Sequence, residues 1–108
     1  MMDTEIIDLG DGHTLEFTCW NPDRDLNPQY EGIPDIPKFG AIITHQTPEG
    51  LECMSHVNFD TPEVRRVELR EQVRWQVESW EPLTLSPSIL CRKCGDHGFI
   101  RAGKWVPS

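Results

Sequence analysis

Cys91-Arg92-Lys93-Cys94-Gly95-Asp96-His97 places three soft metal donors within one short stretch near the end of the chain. A C-x-x-C-G turn suits zinc because it presents two thiolates on one side, and its glycine lets the backbone curl so that amide N–H groups point toward sulfur. Upstream, Cys53-Met54-Ser55-His56 has the same internal spacing, so one tetrahedral site closed by two distant segments can be written down directly. Cys53, His56, Cys91, Cys94 and His97 are five candidates for four positions, so one of them is spare. Cys53 and Cys94 lead, Cys91 follows, and the two histidines compete for the remaining place. Sulfur and imidazole argue against calcium or magnesium and leave iron as the rival, so Zn2+ is the expected cofactor. Such a site would tie the middle of the chain to its end.

Working outward, the flanking residues read as hairpins. Phe99-Ile100-Arg101 and Lys104-Trp105-Val106 flank Ala102-Gly103, a tight closing turn. Leu83 to Ile89 is a short strand broken at Ser86-Pro87-Ser88, where a proline that cannot donate to a ladder implies an edge or a bulge. Val67, Leu69, Val73, Trp75 and Val77 fall on odd positions, while the even positions from Glu68 to Glu78 are polar. That period of two predicts a strand from Val73 to Trp80. Ahead of it, Thr61-Pro62-Glu63 resembles a capped helix start, so one short helix near 62–70 is the other option for this region. Gly40–Gln46 and Leu51–Val57 form a hairpin around Thr47-Pro48-Glu49-Gly50, and Thr4–Leu9 and His13–Thr18 form another around Gly10-Asp11-Gly12. Between the first two hairpins, Asn21 to Pro37 contains four prolines and no hydrophobic period, so it is a long loop: a contact region, or an excursion pinned by Tyr30 and Ile33.

The expected architecture is therefore mainly β, a single domain over 1–108 built of antiparallel hairpins and stapled by zinc. With 108 residues, nine prolines and eight glycines, the core is small and a metal cross-link would matter. Structural zinc contributes about 10 to 16 kcal/mol in finger peptides, comparable to the whole stability of an ordinary domain. No apolar run is long enough to span a membrane and no secretory leader pattern opens the chain, so a cytoplasmic location with reduced, metal-bound thiols is expected. Cys19 beside Trp20 reads as a small buried hydrophobe, and His13 and His45 read as polar surface residues on strands. The four tryptophans, Trp20, Trp75, Trp80 and Trp105, read as core. The net charge of -8 is uneven: residues 1–60 carry twelve acids against Arg24 and Lys38, whereas residues 61–108 carry six acids against eight bases.

Leu85-Ser86-Pro87-Ser88-Ile89, then Cys94-Gly95-Asp96-His97, then Phe99-Ile100-Arg101-Ala102-Gly103 resembles a family of small proteins from bacteriophages, notably those of actinobacteria, and from bacteria, with the signature L-S-P-S-I, C-x-x-H and I-x-x-G. The likeness covers the last third of the chain and implies that Cys94 and His97 are the shared pair, with Cys91 an addition. Other members carry a C-x-C-G segment near the position of Cys53 and His56. Some bacterial relatives lie near ubiquitin-like conjugation genes.

Three functions follow as expectations. The leading one is a phage-type accessory protein, a zinc-stabilised binding module that engages a host or phage protein, because a closed set of sulfur and imidazole ligands leaves no position for water. A zinc-dependent hydrolase is the second, with Asp96 and Glu52 as possible bases, although neither H-x-E with P-C-x-x-C nor H-E-x-x-H occurs. Nucleic-acid binding through Arg92, Lys93, Arg101 and Lys104 is the third, opposed by the overall negative charge.

Overall fold

A computed structural model describes residues 5–108. It contains strands β1 (Ile6–Gly10), β2 (His13–Trp20), β3 (Ile36–Gln46) and β4 (Glu52–Asn58), helix α1 (Pro62–Val67), then β5 (Gln76–Trp80), β6 (Leu83–Ser86), β7 (Ile89–Leu90), β8 (His97–Arg101) and β9 (Lys104–Pro107). The fold is mainly β and antiparallel, as expected. β1 to β4 form one sheet in chain order, β5 pairs with β6, and β7, β8 and β9 form a third sheet in that order. A parallel bridge between Phe59 and Trp75 joins the end of β4 to the start of β5. β6 lies against β8, and β9 against β1, so the three sheets share one core.

Local chemistry explains the turns. Asp11 and Gly12 both have positive φ, the two-residue geometry that matches the twist of β1 and β2, and Ala102-Gly103 repeats it between β8 and β9. Leu9, Leu15, Ala41, Ile43, Val57 and Phe59 point inward from the first sheet and meet Leu83, Leu85, Ile89, Ile100 and Trp105. Burying each large member removes apolar surface worth about 1.5 to 3 kcal/mol.

The predicted hairpins are present, with shifted ends; Thr4 lies outside the described residues. β3 starts at Ile36, not Gly40, because Trp20 pairs with Ile36 beyond a register shift in β2. The 21–37 segment is organised by Arg24, which donates to the carbonyls of Tyr30 and Ile33 and to the Asp35 carboxylate, while Trp20 packs edge-on against Tyr30. The helix option for 62–70 is realised as α1, capped by the Thr61 hydroxyl accepting from Val64 N–H, and ends at Val67.

The strand expected from Val73 begins at Gln76. Glu68 holds Arg70 through its carboxylate, and Arg74 donates to the carbonyls of Glu68 and Arg70, so 68–74 is tied to itself and leaves Leu69 and Val73 exposed. The period-two pattern there was carried by residues that face solvent. Among the tryptophans, Trp105 is buried and Trp80 is exposed; Cys19, read as a buried residue, is exposed and lies at the register shift between Thr18 and Trp20, beyond the inward positions His13 and Leu15.

Candidate functional site

The donors that the fold brings together are His45, Cys53, Cys91 and Cys94, whose ligand atoms all lie within 4.8 Å of one another and could hold a metal ion. Register is the cause. His45 on β3 is paired directly with Cys53 on β4, so both side chains stand on the inner face of the sheet. The Cys91–Cys94 turn closes over them. It is held by Gly95 N–H donating to the Cys91 carbonyl (2.8 Å) and Cys91 N–H to the Asp96 carbonyl (2.7 Å), and Gly95 supplies the positive φ of 79°. His45 Nε2 comes within 3.1 Å of Cys94 Sγ.

The thiols themselves favour a cation. Burial, and then the neighbouring Cys91 and Cys94 sulfurs, push the Cys53 thiol up to about 11. Burial works the same way on Cys91, but the backbone amides of Cys94 and Lys93 and the adjoining thiols outweigh it and lower that group. Three crowded sulfurs cannot all ionise beside one another; a divalent cation would remove that conflict.

The structure corrects the expected ligand set in two places. His56 shares β4 with Cys53, but an offset of three residues turns it to the opposite face, where it is exposed. His97 lies outside the sulfur cluster, and its Nε2 is within hydrogen-bond distance of the Ser88 hydroxyl at 2.7 Å. His45 and His13, read as surface residues, are buried. Strand alternation holds the missed signal: Ala41, Ile43 and His45 share one parity, as do His13 and Leu15.

The Ser88–His97 pair arises from the β7–β8 ladder. Ile89 pairs with Gly98 and Leu90 with His97, which sets Ser88 one step beyond the paired run and diagonal to His97 on the outward face. Trp75 Nε1 donates to the Ser88 carbonyl (3.3 Å), anchoring the serine backbone. Ser88 is half-buried and His97 exposed. Among the described residues no side chain bonds His97 Nδ1, so the arrangement is a dyad.

A second buried cluster lies between the two. His13 Nδ1 donates to the Asp11 carbonyl (2.7 Å), and Nε2 lies within hydrogen-bond distance of the Asp96 carboxylate (2.5 Å). The same carboxylate oxygen is 3.8 Å from His45 Nδ1.

A serine hydroxyl within hydrogen-bond distance of a histidine ring nitrogen is an arrangement that can supply a nucleophile and its base. A family model described as "Bacterial ubiquitination-like system serine protease (BubE)" matches residues 31–108, and the chain belongs to that family. No curated protein and no solved structure matches the chain. The family is bacterial, and its description overturns the expected accessory binding module: the hydrolase class is the closer one. The expected hydrolase was a metal enzyme, whereas the family's description names a serine protease. No helix among the described residues is long and apolar enough to cross a membrane.

Proposed function

We propose that the protein hydrolyses peptide bonds, with Ser88 as nucleophile and His97 as general base. The observation that carries this is the 2.7 Å hydrogen bond between Ser88 Oγ and His97 Nε2, in a chain whose family is described as a serine protease. In the tautomer with the proton on Nδ1, Nε2 takes the serine proton as Oγ attacks the scissile carbonyl carbon. The protonated imidazole then delivers that proton to the leaving amine as the C–N bond breaks, leaving an ester on Ser88. Water, deprotonated by His97, releases the acid and restores the hydroxyl. The outward position of the dyad suits an extended polypeptide segment, which can lay a bond across an open face.

The sulfur cluster is read as a structural zinc site with His45, Cys53, Cys91 and Cys94 as ligands. Zinc would hold the turn from which His97 emerges. It takes no part in bond cleavage.

A fluorophosphonate probe, which esterifies activated serines, tests the dyad. Wild-type protein should be labelled at Ser88. Ser88→Ala should abolish labelling and His97→Gln should slow it by roughly 10²- to 10⁴-fold, the usual contribution of a general base, with both variants still folded. Labelling of Ser88→Ala at the wild-type rate would refute the assignment.

A further inference from the structure

Asp96 and His97 are consecutive, and they point to opposite sides of the chain: His97 outward to Ser88, Asp96 inward to His13. The inward side is built with unusual care. His13 is 4% exposed, yet both its ring nitrogens have oxygen partners, the Asp11 carbonyl at 2.7 Å and the Asp96 carboxylate at 2.5 Å. Its ring lies flat on the Trp105 indole, with centroids 4.1 Å apart and planes 11° from parallel. Trp105 in turn covers Gly98, where an added Cβ would come within 2.6 Å of the ring. The backbone on either side of His97 is thus gripped by one assembly: Asp96 by a charge-assisted hydrogen bond and Gly98 by direct contact.

We infer that His13 is a positioning residue for His97, acting through Asp96, so that the N-terminal hairpin is a working part of the active site although it precedes the family-matched residues 31–108. The inference rests on the Ser88–His97 reading. Two features favour it over simple packing. A core position opposite Trp105 could be filled by any flat ring, but only a ring with polar atoms on two sides bridges the β1–β2 turn to the 96 carboxylate. Asp96 also faces His45 at 3.8 Å, so one carboxylate links the imidazole beside the sulfurs to the residue preceding the catalytic base. A histidine base misplaced by about 1 Å can cost on the order of 100-fold in rate.

The test uses the full chain loaded with zinc and the fluorophosphonate probe, with the maximal labelling rate at saturating probe separated from the probe concentration at half-maximum. His13→Phe keeps a flat ring on Trp105 and removes both ring nitrogens; His13→Gln restores a donor toward Asp96 without the ring. His13→Phe should lower the maximal rate roughly 10- to 100-fold, with the half-maximal concentration within about two-fold of wild type, and His13→Gln should recover most of that loss. Nitrogen-15 spectra of the His97 ring should show its Nδ1–H tautomer in wild type and a mixture of tautomers in His13→Phe. Should His13→Phe fail to fold, Asp96→Ala reads the other end of the same bond and should lower the maximal rate comparably. Wild-type maximal rates in His13→Phe or Asp96→Ala would overturn the inference while leaving the dyad intact. Wild-type protein unreactive at Ser88 would overturn the dyad and the positioning role together.

Discussion

Replacing Gly98 by alanine tests the packing that seats His97. A Cβ built on Gly98 lies 2.6 Å from Cε2 and Cζ2 of Trp105 and 2.7 Å from the Val106 carbonyl oxygen. Ordinary contact begins near 3.4 Å, so the ring and the new methyl must separate by about 0.8 Å. Trp105 has little room to retreat, because it is 6% exposed and the His13 ring lies against it at a centroid distance of 4.1 Å. The strain must therefore be shared between the indole and the β8 backbone, which carries His97 next to the substituted position. Overpacking of this kind costs roughly 1 to 3 kcal/mol, and a domain of about 100 residues loses about 4 to 8 °C of melting temperature per kcal/mol. Thermal unfolding followed by circular dichroism should show a fall of about 5 to 20 °C, and labelling of Ser88 should slow even at temperatures where the variant is fully folded. A melting temperature within 1 °C of wild type, together with unchanged labelling, would refute the view that Trp105 and Gly98 form a rigid seat.

Metal analysis of purified variants should find the bound ion lost in His45→Ala, Cys53→Ser, Cys91→Ser and Cys94→Ser and retained in His56→Ala and His97→Ala; the reverse pattern for His45 and His56 would refute the register argument. Acid should weaken the fold through two carboxylates. The Arg70 side chain bonded to Glu68 holds that group at about 2 against an ordinary 4.5, and the Arg65 side chain likewise lowers Asp60. Both bind protons less readily folded than unfolded, so their stabilisation is present above the unfolded values and is lost as pH falls through the folded ones. The melting temperature of Glu68→Gln should accordingly depend less steeply on pH between 4.5 and about 2 than that of wild type, and identical slopes would show that the Arg70 pair contributes nothing.

What could be read from residues alone divides along physical lines. Short-range rules did well: the Thr61-Pro62 cap, the Asp11-Gly12 and Ala102-Gly103 turns and the C-x-x-C-G bend are each set by a few neighbouring residues. Three cysteines also meet where spacing suggested. The fourth donor depended on strand register, which pairs residue 45 with residue 53 and turns His56 away. Spacing along the chain cannot distinguish ligands that share a strand face from those that do not, whereas parity can. The dyad was harder to see because Ser88 sat in a segment read only as a proline-broken edge, and His97 was already spoken for as a metal donor. Loop 68–74 misled for the opposite reason: its alternation mimics a strand, but the Glu68, Arg70 and Arg74 bonds fold it on itself.

His13, His45 and Cys53 form a row across β2, β3 and β4, each paired with the next. A slip of β3 by one residue would bring Thr44 or Gln46 into that row and send the imidazole of His45 to solvent. The sulfur cluster would then lack its nitrogen donor and Asp96 one of its neighbours in a single event. Sheet alignment thus acts as a checkpoint: a chain that has collapsed with its strands out of step assembles neither the His45, Cys53, Cys91 and Cys94 cluster nor the contacts of Asp96.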